Sequence, residues 1–237
     1  MEDFFHQIGA LIMTFADPRN LQHPERYVQA LQQPGVMWAA MISVNLIIFT
    51  ETGLLIGFLL PGDSLLVVTG LVARTAEWPI VGLGASLCAA AIIGDTIGYA
   101  IGAKAGPPIF NRPSSRFFKR EHLLAAKDYY ERHGGKTIII ARFIPLIRTF
   151  VPVVAGAARM NYRSFLFFNI FGGIGWIVSM LMIGYMLDPL LRQIFGPQFE
   201  IAKHVDKVVL VVVFLSILPL LTKGFKHWRE SRKTASK

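Results

Sequence analysis

From Val36 to Ala73 the chain runs for 38 residues with only two charges, Glu51 and Asp63. A helix crosses the hydrocarbon core of a bilayer with about 20 apolar residues, so this run is too long for one crossing and short for two with a turn. It also holds Gly53, Gly57 and the Pro61-Gly62 pair, which interrupt a helix ladder and favour a turn. A span over about 33–50 followed by a broken hairpin over about 51–70 fits the count. Broken backbone survives at membrane depth only where protein or a watery cavity satisfies its amides. The composition agrees with a membrane protein: 53% hydrophobic, 16% charged and a mean hydropathy of +0.48, against about 25% charged residues in soluble domains. The same figures exclude a disordered chain.

The rest of the sequence divides by the same measure. Residues 1–35 read as an amphipathic, interfacial N-terminal segment, since Phe4 to Phe15 is too short to span. Residues 36–222 form a single membrane domain. Within it, Pro79 to Gly102 is a 24-residue run with one charge, Asp95, and predicts a crossing. The loop 103–136 is polar, and Lys104 to Lys136 carries eight Lys/Arg against three acids. Thr137 to Ala158 is apolar again but contains Arg142, Arg148, Pro145 and Pro152. Phe165 to Leu187 is a charge-free run of 23 residues, and Val208 to Thr222 is a short one of 15 between Lys207 and Lys223. The tail 223–237 has six Lys/Arg and one Glu.

Orientation follows from the basic stretches. The loop 103–136 and the tail 223–237 both belong in the cytoplasm by the positive-inside rule. Three apolar runs lie between them, and three full crossings would separate them, so one run must fail to cross. The proline-broken segment 137–158 is the candidate and reads as a re-entrant loop from the cytoplasmic side. Arg74 to Trp78 then lies outside, and the 51–70 hairpin dips in from the opposite face. The predicted fold is an all-α polytopic membrane protein: an inverted-topology repeat with two opposed re-entrant hairpins, spanning helices and an N-terminal amphipathic helix. Pro61, Gly62, Pro145 and Pro152 mark the hairpin breaks. Both termini are expected on the cytoplasmic side. The stripe Gly94, Gly98, Gly102 and Gly106 predicts a close helix approach. Trp38, Trp78, Tyr162 and Trp228 lie at predicted span ends as interfacial anchors.

Five charges sit within apolar runs: Glu51, Asp63, Asp95, Arg142 and Arg148. On insertion scales each costs roughly 2.5 to 3.5 kcal/mol near the bilayer centre, so they must be paired, hydrated or neutralised. Structural ion pairs docking the two hairpins are one reading. The other starts from Arg142 and Arg148, each three residues from Pro145, whose planar guanidinium forks suit phosphate oxygens. Glu51 and Asp63 then either exchange protons, because burial raises a carboxyl pKa, or serve only as counter-ions. Asp95 is equally a structural hydrogen-bonding group or a lining of the pathway.

Other chemistries find little support. One cysteine, Cys88, excludes a disulfide framework, and the six histidines never fall at metal-ligand spacing. No phosphate-binding loop, dinucleotide fingerprint, zinc-protease or nucleophile-elbow string occurs. No cofactor and no metal is expected, and the chain is not expected to be an enzyme. The net charge of +9 lies beside membrane spans, which suits anionic lipid head groups better than nucleic acid.

The strings Phe49-Thr-Glu51-Thr-Gly53, Phe58-Leu-Leu-Pro61-Gly62-Asp63-Ser64-Leu65, Gly94-Asp95-Thr-Ile-Gly98-Tyr99-Ala-Ile-Gly102 and Ala141-Arg142-Phe143-Ile-Pro145-Leu-Ile-Arg148-Thr149-Phe150-Val-Pro152-Val-Val-Ala-Gly156 resemble the DedA family of the wider VTT, or SNARE-associated Golgi protein, superfamily. The resemblance covers about residues 45–185. It implies a multi-pass protein of the bacterial inner membrane that returns undecaprenyl phosphate, the carrier lipid of envelope synthesis, across the bilayer, with coupling to protons. It implies phosphate binding by Arg142 and Arg148, and dependence on the acids Glu51 and Asp63. The expected partners are the lipid and protons, and self-association is compatible with this reading. A phospholipid flippase or scramblase without proton coupling is the alternative, followed by a lipid-phosphate hydrolase and a structural assembly factor.

Overall fold

In the structure, a computed structural model that describes residues 29, 31–54, 62–111 and 135–196, every regular element among the described residues is an α-helix. These are α1 Pro34–Gly53, α2 Gly62–Thr75, α3 Ile80–Asn111, α4 Lys136–Ala141, α5 Pro145–Ala157 and α6 Tyr162–Phe195. Among the described residues three stretches are long and apolar enough to cross a membrane: Pro34–Gly53, Ile80–Ala105 and Tyr162–Phe195. The predicted amphipathic helix, Pro61, most of the polar loop, the run 208–222 and the basic tail with Trp228 lie outside the described residues. The described residues group into two compact units, one of 29, 31–37, 63–78 and 181–196, the other of 38–54, 62, 79–111 and 135–180.

In the second unit α1 and α3 run in the same direction. Asn45 Nδ2 donates to Ser86 Oγ at 3.1 Å. Further along both helices, a methyl carbon added to Gly53 would stand 3.1 Å from the Gly94 carbonyl oxygen. Gly62 then lies directly against the Glu51 carboxylate, while α3 starts at the opposite end. Helices α1 and α3 therefore lie side by side with their starts at the same end. The crossing expected over 33–50 falls on α1, a helix long and apolar enough to span. The helix that holds residues 38–50 continues through Glu51 to Gly53. A count of apolar residues shows that a helix can cross, not where it stops, and α1 stops at the polar end Glu51-Thr52-Gly53.

The segment 136–157 also turns back on itself. Proline clashes with the α conformation of the residue before it, and Ile144 is extended at φ −113°, ψ 103°. Helix α4 ends ahead of it, and α5 restarts with Pro145 at its first position, where a missing N–H is harmless. At 1.5 Å per residue α4 is about 9 Å long and α5 about 20 Å, both short of a core of about 30 Å. Ile138 on α4 shares a buried cluster with Ala155, Met160 and Phe165, so the hairpin closes at its base. The break expected at Pro152 does not occur: α5 continues through it to Ala157, and only one backbone hydrogen bond of the ladder is forgone.

Glycines bring helix backbones together in each unit. In the second, a methyl on Gly102 would overlap the Val153 carbonyl oxygen, and one on Gly156 the Tyr99 carbonyl oxygen. In the first, Gly184 faces the Val67 carbonyl and Gly70 the Leu181 carbonyl in the same way. Only a residue without Cβ permits such an approach. The faint likeness between Val67-Val68-Thr69-Gly70 and Val153-Val154-Ala155-Gly156 is thus one contact built twice.

Large apolar side chains line the outside of the helices, including Trp38, Ile42, Leu46, Ile93, Ile97, Phe167, Phe171 and Val178. Charged and amide groups are buried instead, an arrangement that suits lipid surroundings. Trp38 and Tyr162 are exposed as interfacial anchors should be, but Trp78 is buried, its indole N–H donating to the Leu31 carbonyl at 3.0 Å.

Candidate functional site

The four charges Glu51, Asp95, Arg142 and Arg148 are each no more than 6% exposed and form two ion pairs in one unit. Arg148, in the first turn of α5, binds Glu51 from the last turn of α1 through Nη2 and Oε1. Arg142, in the break between α4 and α5, binds Asp95 of α3 through Nη2. Two positive and two negative charges cancel, so none of them stands as an uncompensated charge at depth.

One face of α6 receives both guanidiniums. Arg142 Nη2 also donates to Asn169 Oδ1, and Asn169 Nδ2 in turn donates to the Ile92 carbonyl at 3.1 Å. Gly172 and Gly173 clear the space beside it: added methyls would lie 3.0 Å from Arg142 Cδ and 3.5 Å from its Nη1. Arg148 sits with its guanidinium carbon 4.4 Å from the ring centroid of Trp176, a stacking geometry suited to arginine. Asn169 and Trp176 are seven residues apart on α6, about 10 Å of rise, which sets the spacing of the arginines along that helix. The Nε of Arg142 is buried without a hydrogen-bond partner among the described residues.

The sequence-predicted residues are therefore partly reassorted. Glu51 opposes an arginine as expected. Arg142 is neutralised by Asp95, so Asp95 acts as a counter-ion and not only as a lining group. Asp63 occupies the first turn of α2 and is half-buried, where a carboxylate faces favourable helix-terminal N–H groups. Gly62 does more than break a helix, since any side chain there would collide with the Glu51 carboxylate. Sequence reasoning missed Asn169 and Trp176. Asn169→Leu should remove the neutral ligand of Arg142 and lower stability by about 1.5–3 kcal/mol, read as the thermal midpoint of the detergent-purified protein. Ser179→Ala, whose hydroxyl only bonds back to its own helix at Trp176, should leave the midpoint nearly unchanged.

Comparison with known proteins finds a matching family model and several relatives. The chain matches the VTT domain over residues 60–186. It is 41% identical over 204 residues to an uncharacterized membrane protein of Mycobacterium leprae (strain TN), covering 85% of this chain and 87% of that protein. It is 37% identical over 192 residues to the protein DedA of Escherichia coli (strain K12), covering 80% of this chain and 84% of that one. A third relative, an uncharacterized membrane protein of Mycobacterium tuberculosis (strain ATCC 25618 / H37Rv), is 38% identical over 201 residues, 84% of this chain and 85% of its own length. No solved structure matches the chain.

Proposed function

Because the chain belongs to the DedA family of VTT-domain membrane proteins, we propose that it moves a phosphate-bearing lipid, undecaprenyl phosphate in the first place, across the bacterial inner membrane in exchange with protons. The observation that carries this reading is the pair of buried arginines, each ion-paired with a carboxylate and both seated on one face of α6. A phosphate presents the same charge-assisted hydrogen bonds that a carboxylate offers to a guanidinium, with an extra oxygen. Protonation of Glu51 removes the partner charge of Arg148 and lets the guanidinium turn to a phosphate oxygen. Asp63 is the second proton-exchanging acid, and Asp95 holds Arg142. The unpartnered Nε–H of Arg142 is a further donor available to the head group.

Depth supports the same reading. From Phe165, at the base of the α4–α5 hairpin, to Trp176, beside Arg148, α6 advances eleven residues, about 16 Å. That is roughly half the hydrocarbon thickness. Re-entrant hairpins meeting near the midplane are how inverted-repeat transporters build a binding site, and the doubled glycine contact favours such a repeat here. The lipid is carried and not cleaved, so no phosphate should be released.

Uptake of undecaprenyl phosphate into proteoliposomes carrying a proton gradient tests the reading. Arg142→Lys and Arg148→Lys keep the charge but lose the fork, and each should lower the rate about tenfold or more. Glu51→Gln and Asp63→Asn should abolish the response to the gradient. Full, gradient-sensitive uptake in all four variants would falsify the role assignments. Uptake indifferent to a protonophore would favour uncoupled flipping.

A further inference from the structure

Helices α4 and α6 lie side by side and run the same way. A methyl on Gly135, the N-cap of α4, would overlap the Phe168 ring, and four residues further along both helices one on Gly172 would stand 3.3 Å from Ile139 Cα. Both helices turn by about 100° per residue, so the residue after each contact on α4 and the residue before it on α6 emerge on the same side of the seam. Those residues are Lys136 and Ile140 on α4 and Phe167 and Phe171 on α6, and all four are exposed. Arg163, also exposed, stands one turn before Phe167. We propose that this face binds an anionic phospholipid, with Lys136 and Arg163 holding the head-group phosphate and Ile140, Phe167 and Phe171 carrying the acyl chains.

Charge and apolar surface are in register on both helices. Arg163, Phe167 and Phe171 recur at four-residue steps and form one stripe, with 4.7 Å between the two ring centroids. Lys136 and Ile140 repeat that step across the seam. Helical side chains lean toward the N-terminus, and a lysine stem covers apolar surface while its ammonium reaches the membrane–water boundary. The lysine therefore extends from beside Phe167 toward the level of Arg163. Asn169 and Gly173, the residues after the same contacts on α6, emerge on the other side of the seam and adjoin Arg142. The phospholipid and the transported lipid thus use opposite sides of the seam.

The cations have no internal reason to be there. No acidic residue occurs in 135–141 or 157–171, and among the described residues no carboxylate comes within ion-pair distance of Lys136 or Arg163. Both stand in the first turn of a helix with no acid in that turn, where the dipole favours acids and a cation costs stability. The N–H groups of Arg163 and Ser164 are already taken by Asn161 Oδ1, at 3.0 and 3.3 Å. An anion at this face is left to the side chains, and the apolar stripe beneath them selects one with hydrocarbon attached.

Photo-crosslinking tests this on the purified full-length chain in mixed micelles, using phosphatidylglycerol with a diazirine in its acyl tail and mapping adducts by peptide mass spectrometry. Adducts are expected on Ile140, Phe167 and Phe171. They should fall about fivefold in Lys136→Gln or Arg163→Gln and about twentyfold in the double variant, as expected for one or two cations near an anionic head group. Leu46, exposed on α1, is the control and should be labelled alike in every variant. Phosphatidylcholine with the same tail should label Phe167 and Phe171 weakly. Equal labelling by the two lipids, or adducts that ignore the double variant, would reduce the face to ordinary lipid contact and overturn the proposal. Orthophosphate competing as well as unlabelled phosphatidylglycerol would overturn it by making a free anion the ligand. If the double variant aggregates, the unaltered protein decides: adducts on Phe167 should fall as salt is raised from about 50 to about 500 mM, because exposed charges are screened, and salt-independent adducts overturn the proposal. Arg148→Lys should keep the adducts while slowing uptake, so failure of the transport reading and failure of this one are told apart; adducts lost with Arg148→Lys would make the label the cargo and overturn a separate site.

Discussion

Arg148→Ala is expected to stop lipid uptake and to destabilise the protein by about 3–5 kcal/mol, because it leaves the buried Glu51 carboxylate without its guanidinium. The informative variant is the double one, Glu51→Leu with Arg148→Met. Replacing both members of a buried pair with apolar residues of similar volume is often neutral or stabilising, so the double variant should recover most of the thermal midpoint lost by Arg148→Ala. It should recover none of the uptake, since the guanidinium fork of Arg148 and the proton-exchanging carboxyl of Glu51 are both gone. Midpoints measured in detergent, beside uptake by the same preparations, separate the two roles of the pair. A double variant that transports normally would mean that the pair only fastens α1 to α5. Trp176 sharpens the test. Its ring lies under Arg148, and Trp176→Leu should weaken uptake while leaving the Glu51 pair in place.

How much of this site could be read in advance depended on what kind of information each residue carries. Arg142, Arg148 and Glu51 stand out because a charge in an apolar run has a large transfer cost, and Pro145 fixes the break beside them through its effect on Ile144. The partner of Arg142 was not legible. Asp95 lies on a different helix, and which acid meets which arginine is decided by where helices cross, a property that periodicity along one helix does not contain. Asn169 escaped a count of formal charges although a buried amide needs partners nearly as strictly. Trp176 left a usable signal: tryptophans favour the ends of spans, and this one lies 14 residues into α6, about 21 Å from its start.

The course of the first half is less legible for a related reason. Counting crossings treats each run of about 20 apolar residues as a transit from one face to the other. Helix α1 satisfies the length and yet runs alongside α3 in the same direction. Two neighbouring helices that run the same way require a return between them, which the apolar length of either does not reveal. The second half is more legible because its prolines and arginines break the apolar run visibly.

The glycine contacts yield the other large effect. Gly102→Ala and Gly184→Ala should each cost stability at or above the upper end of the usual 1–3 kcal/mol for overpacking. The added carbon meets a backbone carbonyl, that of Val153 in one case and Val67 in the other, and a helix backbone cannot swing aside as a side-chain tip can. Relief requires the two helices to separate, which removes contacts along their whole interface. The two substitutions should act with similar strength, because Val67 and Gly70 stand 86 residues before Val153 and Gly156, while Tyr99 and Gly102 stand 82 before Leu181 and Gly184, with the same atoms in contact. Gly82 and Gly175 provide the control: nothing lies within 4 Å of an added methyl at either, and replacing a helical glycine by alanine in open space should stabilise by about 0.5–1 kcal/mol. Fluorescence-detected size exclusion after a heating series would rank all four. Equal tolerance of alanine at Gly102 and Gly82 would mean that close backbone approach does not hold α3 to α5, and would remove the main structural support for a repeated hairpin-and-helix unit. A midpoint that falls for Gly102→Ala and Gly184→Ala together, while Gly175→Ala rises, is what a fold fastened twice by the same contact requires.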